Sequence, residues 1–380
     1  MILYESLTPP TLGRGVSYTD GSIRAGSHRT NKVAITHYTR GITMKKTTVT
    51  LLMSFMLVIS ILLASGCSKQ TSSSGQASEQ SKKEKIKIAA LKGPTGMGMV
   101  KLIEENKDSY DISLFDSPDQ IISKVVNGEV DGAAVPSNLA PILYNKTKGA
   151  VQIVGINTLG VLYIVENGNT IKDIKDLKGK TIYSSGKGGT PEFVLNYILE
   201  KNGLDPDKDV KIEYKADHSN LAAAVASKEV KIAVLPEPFV TTTQMKDTDL
   251  QVSIDLTKEW EKASEGKNQL VMGTLVFRKD FIDKRGNDLD EFLSKYKNSV
   301  DFVNSSKEEA GKLIEKNGII PKAKVAEMAI PKCNIVFISA KDGKESLDKF
   351  YSVLNENDPK SIGGKMPDEK FYYKGTEKSN

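Results

Sequence analysis

The sequence predicts an α/β protein of two lobes with a ligand cleft between them, and three observations carry that prediction. First, Val125-Val-Asn-Gly-Glu-Val-Asp-Gly-Ala-Ala-Val-Pro-Ser-Asn138 recurs in outline one hundred residues later as Val225-Ala-Ser-Lys-Glu-Val-Lys-Ile-Ala-Val-Leu-Pro-Glu-Pro238. In each copy a helix ends near Asn127 or Ser227, a Glu-Val pair enters a short apolar run, and Pro136 or Pro236 stops it. A strand that ends on proline leaves its last backbone groups facing open space, because proline cannot donate to a further ladder bond. Second, each copy has a matching part upstream: strand, glycine turn, helix start. These are Ile86–Leu91 with Gly93-Pro-Thr-Gly-Met-Gly98, and Lys180–Tyr183 with Ser184-Ser-Gly-Lys-Gly-Gly-Thr-Pro191. Third, two such units carry their loops at the C-terminal ends of their strands, which sets two groups of ligand-facing loops around one crevice.

The N-terminal 83 residues stand outside that pattern. Residues 1–43 hold two of the three histidines, several arginines and a Pro-Pro, with no sustained apolar period, and are set aside as an over-extended gene start. Met44-Lys45-Lys46, an apolar run from Val49 to Leu63, and Ala64-Ser65-Gly66-Cys67 follow. This order resembles the bacterial lipoprotein signal, which implies removal of residues 44–66 and a lipid on Cys67. Ala64 stands where leucine is commonest in that signal. An uncleaved anchor is the alternative, since the run nearly reaches bilayer-spanning length. Residues 67–83 contain no large apolar side chain and are expected to form a flexible tether, with an average end-to-end distance of about 20 to 24 Å.

Charge excludes one class of partner. Of 53 basic and 48 acidic residues, seven and two lie in the first 66, so the remainder balances and offers no nucleic-acid-binding excess. With Cys67 lipidated, Cys333 is the one thiol left. In the apolar run Ile330-Pro-Lys-Cys-Asn-Ile-Val-Phe337 it reads as a core residue.

From Glu84 onward there is enough chain for two separate cores. The loop after the first strand (Gly93, Pro94, Thr95, Gly96, Met97) lets the backbone approach a ligand closely, and the helix behind it (Met99, Val100, Ile103 inward) aims free N–H groups the same way. Such a site suits a carboxylate, a sulfonate or a ring carbonyl; a purely structural turn is the alternative. Neither the phosphate-binding loop nor the dinucleotide fingerprint has this spacing. Ser117-Pro118 starts a helix with Ile121, Ile122, Val125 and Val126 on one face. Asp131–Val135 is the strand after it. In its exit loop, Ser137 and Asn138 offer donors and acceptors to a small polar ligand, or else cap the helix from Leu139. Gln152–Val165 is two apolar runs joined by Asn157-Thr-Leu-Gly160, read as the crossover. Lobe 1 is thus residues 84–160 plus 270–380, and lobe 2 residues 161–269.

Asp176-Leu-Lys-Gly-Lys-Thr-Ile182, the Ser/Gly loop and helix after it, Asn202-Gly203-Leu204 and the Glu229–Pro236 strand together resemble the solute-binding lipoproteins of ABC importers, within them the sulfonate, nitrate and thiamine-precursor type. The resemblance spans residues 84–375. It implies a type II periplasmic-binding fold with two crossing segments, a small-molecule ligand, no catalysis, no cofactor and no metal. It also implies a monomer on the outer face of the cell membrane, with permease and ATPase as separate chains. Carried over, ligand contacts fall on Gly93–Met97, Pro136, Ser137 and Asn138 in lobe 1, and on Ser184, Ser185, Gly188, Gly189, Thr190 and Glu237 in lobe 2.

The remaining elements follow from residue type. Thr190-Pro191 reads as N-cap and first residue of a helix with Phe193, Val194, Tyr197 and Ile198 inward. Glu237, between two prolines, pairs either with a ligand amine or with Lys187. His218 reads as a solvated loop residue. Leu270–Phe277 is a return strand to lobe 1. Helices over Leu289–Val303, after a capping box Ser306-Lys-Glu-Glu309, and around Leu347–Leu354 complete that lobe. Two other functions compete: an enzyme of the same fold from a pyrimidine or menaquinone pathway, and an extracytoplasmic sensor. The enzyme needs a base or nucleophile in the cleft, where the loops show no His or Cys; the sensor needs a signalling domain or partner.

Overall fold

The computed structural model describes residues 83–376; Cys67, the apolar run before it and the tether lie outside them. Two sheets organise this region. The first uses β1 (Ile86–Leu91), β2 (Tyr110–Phe115), β3 (Gly132–Pro136), β4 (Val151–Leu159), β10 (Val271–Arg278) and β11 (Ile335–Ser339) in the order β11-β4-β10-β3-β1-β2. The second uses β5 (Leu162–Glu166), β6 (Thr181–Ser184), β7 (Lys211–Tyr214), β8 (Ile232–Pro236) and β9 (Gln251–Asp255) in the order β7-β6-β8-β5-β9.

The repeat visible in the sequence is a repeat of topology. β1 lies parallel to β2 and β3, as β6 does to β7 and β8. Each exit strand is then flanked by an antiparallel strand that has just arrived from the other sheet: β10 beside β3, and β5 beside β8. The chain therefore crosses at Gly160–Val161 and again between Asp255 and Val271. Because the loops after β1, β3, β6 and β8 all leave C-terminal strand ends, both sheets present the same edge for function.

Local chemistry explains the matched helices. Ser117 accepts from the Asp119 N–H at 3.3 Å and Pro118 opens the helix Pro118–Val126, with Ile121 and Val125 buried one turn apart. The counterpart His218–Ala226 is capped by Asp217, which accepts from the Asn220 N–H at 2.8 Å. They end at Asn127 and Ser227, as the pattern predicted.

Three local expectations need correction. Gly189, with extended backbone, is the N-cap of the helix Thr190–Lys201, and Thr190 is its first residue, which frees the threonine hydroxyl for other partners. Ser306 forms no capping box. The helix Lys279–Ser305 runs directly into Lys307–Lys316, so Ser306 lacks the extended backbone a cap requires, and its side chain makes no cap bond. That first helix is also longer than its apolar stripe suggested and bends at Arg285 (φ −136°, ψ 35°).

Cys333 is fully buried with Met97, Met99, Phe277, Phe292 and Tyr296, on one face of the first sheet. Burial pushes its thiol well up, leaving it protonated and inert. A second core passes between the lobes. Trp260, behind the second sheet, packs on Tyr197 (ring centroids 4.8 Å apart) and on Phe350 of the helix Lys344–Asn357 at 5.5 Å. Burying a side chain such as Phe350 contributes about 1.5–3 kcal/mol, so the lobes share apolar contact as well as connecting chain.

Candidate functional site

At the functional edge of the first sheet, the loop after β1 turns at Gly93, whose φ of +104° suits glycine. The turn closes on itself: Thr95 Oγ1 donates to the Leu91 carbonyl at 2.8 Å, and the Met97 N–H to the Gly93 carbonyl at 2.8 Å. A Cβ at Gly96 would stand 2.8 Å from the Leu91 oxygen, so only glycine fits. Pro94 has no N–H, and Pro94–Met97 is a single helical turn, less of a donor array than the sequence suggested.

Ser137 and Asn138 follow β3, and both are fully buried. Tyr351 OH donates to the Ser137 carbonyl at 3.1 Å, and Ser137 Oγ donates to the Val271 carbonyl at 2.6 Å. Asn138 Nδ2 donates to the Ser361 carbonyl at 3.3 Å. These bonds hold the loop against its own lobe. Its other contacts cross to lobe 2. Thr190 Oγ1 donates to Asn138 Oδ1 at 3.0 Å, Asn138 Nδ2 reaches the Gly188 carbonyl at 3.3 Å, and Ser137 Oγ lies 3.2 Å from Thr190 Oγ1. Two hydroxyl protons serve three contacts here; with Ser137 committed to Val271 and Thr190 to Asn138, the two hydroxyl oxygens touch without a proton between them. The loops expected on opposite sides of a ligand are thus in direct contact.

The second lobe adds a residue that the sequence reading placed in solvent. His218 is the first residue of its helix, its Nδ1 bonded to Ser185 Oγ and its ring 5.5 Å from that of Phe239. Although it keeps some accessible surface, protein packed closely around the ring disfavours the imidazolium and pushes its pKa down to about 4, against the nearby Asp217, which acts the other way. His218 is therefore a neutral hydrogen-bonding group beside Ser185. Asp217 as a helix N-cap was the available signal, because it puts the next residue at a helix start on the functional edge. Ser184 is buried and donates to the Ser185 carbonyl at 3.3 Å.

Glu237 does not make the expected pairing with Lys187. Lys187 Nζ sits 5.5 Å over the Tyr214 ring instead of reaching it. The buried Glu237 carboxylate accepts from the Thr241 N–H at 3.1 Å and from Thr241 Oγ1 at 3.0 Å, with Lys332 Nζ of lobe 1 at 3.8 Å. Desolvation raises its pKa, and the Thr241 bonds and Lys332 counter that rise. Lys332 is 95 positions away in sequence, and no local pattern pointed to it. Among the described residues no helix is long and apolar enough to cross a membrane.

Comparison with known proteins shows what the chain is similar to. The model of the ABC transporter phosphonate periplasmic substrate-binding proteins matches residues 149–319. That span covers β4, all of the second sheet, β10 and the two helices Lys279–Ser305 and Lys307–Lys316. The match covers less than half of the chain, so it relates this part of the protein to the ABC-type solute-binding proteins. The binding protein YtlA of Bacillus subtilis is 38% identical over 74 residues, 20% of this chain and 22% of YtlA, so the chain matches about a fifth of that relative's length. An ABC transporter protein from Parabacteroides distasonis has the same fold, with a TM-score of 0.65 and 23% identity over 76% of this chain and 99% of its own. So does the periplasmic aliphatic sulphonate binding protein SsuA of Escherichia coli, at 0.59 and 18%, over 78% and 94%. At these identities the likeness is one of fold, and it is the two-lobed fold of solute-binding proteins that the sequence resemblance implied.

Proposed function

We propose that this protein is the solute-binding component of an ABC importer, which captures a small oxyanionic solute, of the sulfonate or nitrate kind, between its lobes and delivers it to a membrane permease driven by a separate ATPase. The observation that carries the reading is the meeting of Ser137 and Asn138 with Gly188 and Thr190 across the lobes. A solute that touches both loop sets favours closure, and closure is what a permease can read. The groups at this edge are neutral donors and acceptors: hydroxyls, an amide and an uncharged His218. Glu237, already engaged by Thr241 and Lys332, offers little to a ligand amine, so the anionic half of the earlier expectation is favoured. The alkanesulfonate ligands named for similar structures point the same way.

In this reading the lobes divide at residues 160/161 and 269/270, the ligand contacts come from Gly93–Met97, Ser137, Asn138, Ser184, Ser185, Gly188–Thr190 and His218, and the protein acts as a non-catalytic monomer. Ser185 and His218 resemble part of a nucleophile–base pair, but among the described residues the His218 ring has no hydrogen-bonded carboxylate to orient it. A lipid on Cys67 holds the protein at the outer membrane face. Thermal unfolding with ethanesulfonate, nitrate and 2-aminoethylphosphonate tests the ligand class: at least one should raise the melting temperature, and none doing so overturns it. Fatty-acid labelling should vanish in Cys67→Ser; unchanged labelling overturns the anchor.

A further inference from the structure

We infer that Asn157 supplies a ligand contact from lobe 1, its side-chain amide donating to an acceptor oxygen of the bound solute; the inference rests on the solute-binding reading above. Asn157 lies near the end of β4, three residues before Gly160, where the chain begins its crossing to the second lobe. The next residue, Thr158, pairs with Gly273 of β10, which pairs in turn with Pro136, and the two residues after Pro136 are those that touch lobe 2. The sheet thus sets Asn157 at its functional edge, two strands from the interlobe contact.

The side chain there is incompletely satisfied. Asn157 is fully buried, its Oδ1 accepts from Thr158 Oγ1 at 3.2 Å, and its Nδ2 has no hydrogen-bond partner among the described residues. A buried amide donor without a partner is unfavourable, and asparagine is also disfavoured in strands, so packing alone does not account for it. The neighbouring strand makes room for it: a Cβ at Gly273 would fall 2.3 Å from Asn157 Oδ1. A polar residue retained at a cost to the empty protein, in space that only glycine leaves open, fits a group whose partner arrives with the solute. The Thr158 hydroxyl engages the amide oxygen and leaves the amide nitrogen for an oxyanion, which matches the chemistry proposed for the cleft.

The test compares full-length wild-type protein, dialysed free of solute, with Asn157→Leu and Asn157→Asp, each melted with and without ethanesulfonate. Without ethanesulfonate, Asn157→Leu should unfold near the wild-type temperature, because it keeps the branched four-atom side chain and removes the unpaired amide donor while losing the Thr158 hydroxyl bond. With it, wild type should gain stability and Asn157→Leu should bind about tenfold more weakly or worse. Asn157→Asp, which turns the donor into an acceptor, should weaken binding further. Equal binding by wild type and Asn157→Leu overturns the inference and leaves the solute-binding reading intact. Tighter binding by Asn157→Asp overturns the donor role. If wild type responds neither to ethanesulfonate nor to nitrate, the anion class fails, and the solute-free melts still decide: a fall of several degrees in Asn157→Leu, or failure of both variants and Asn157→Ala to fold, makes Asn157 structural and overturns the inference.

Discussion

The two copies of the strand-exit unit share a skeleton and differ in what they hold. Each has a nine-residue helix, a five-residue strand ending on proline, and a helix beyond, Leu139–Lys146 in one and Phe239–Gln244 in the other. After Pro136 the chain offers Ser137 and Asn138, whose side chains reach the other lobe. After Pro236 it offers Glu237, whose carboxylate turns back onto Thr241 in its own helix, with Lys332 approaching from lobe 1. The topology makes both exits face the cleft, while the side-chain chemistry makes the first a contact between lobes and the second chiefly a fastening within one.

The largest test of that difference is a matched pair of hydroxyl deletions. Thr190→Val keeps shape and removes the proton that Asn138 Oδ1 accepts, at a cost of about 1–3 kcal/mol to the closed form. Small-angle scattering should show the solute-free lobes moving apart. Thr241→Val removes one of the two bonds on Glu237 and should cost a similar amount, lowering the melting temperature with scattering unchanged. If Thr241→Val opens the lobes as far as Thr190→Val does, the two exits are equivalent and the comparison fails.

Next in size is pH dependence, where two groups of lobe 2 act with opposite sign. His218 titrates lower when folded, at about 4 against 6.5, so its contribution is present above pH 6.5 and is lost as pH falls through about 4. Glu237 titrates higher when folded than its ordinary 4.5, so its contribution is complete below pH 4.5 and is lost as pH rises through the raised value. Melting curves from acid to neutral pH should therefore lose their acid-side fall in His218→Gln. In Glu237→Gln the neutral side should gain stability relative to wild type. An unchanged acid limb in His218→Gln would mean that the ring is solvated in both states.

These contrasts show where the sequence was legible. Pro136 and Pro236, with the apolar runs before them, identified the exit strands, because a strand end depends on local chemistry. Asn157-Thr-Leu-Gly160 was legible only in part: Asn157, Thr158 and Leu159 continue β4, and the chain leaves the first sheet at Gly160. The partners of Glu237 were not legible, since Lys332 meets it only after the chain has crossed between lobes twice. His218 was misread because a lone histidine before a helix looks solvated until the Ser185 loop and Phe239 are folded around it. The candidate contacts Ser137, Asn138 and Thr190 could be named singly, but their direct meeting depends on how the two lobes pack.

The smallest expected effect lies at the turns that enter the exit strands. Gly128 and Lys228, one hundred residues apart, occupy the same left-handed position, with φ of 73° and 63°. Glycine adopts this freely, whereas a side chain there costs about 1 kcal/mol. Lys228 offsets part of that cost, standing 3.7 Å from Asp247 and 3.6 Å from Asp249, although exposure keeps such pairs to about 0–1 kcal/mol. Lys228→Gly should accordingly change stability by less than about 1 kcal/mol in denaturant unfolding, because the relieved backbone and the lost ion pairs oppose each other. Gly128→Ala should be clearly destabilising by the same measurement. A Cβ there would lie 2.6 Å from Arg278 Nη1, so it would both strain the turn and displace the bond that this nitrogen donates to the Gly128 carbonyl at 2.8 Å. Equal losses in the two variants would mean that the ion pairs of Lys228 contribute as much as the Arg278 bond does at Gly128, and that the two turns are stabilised alike despite their different residues.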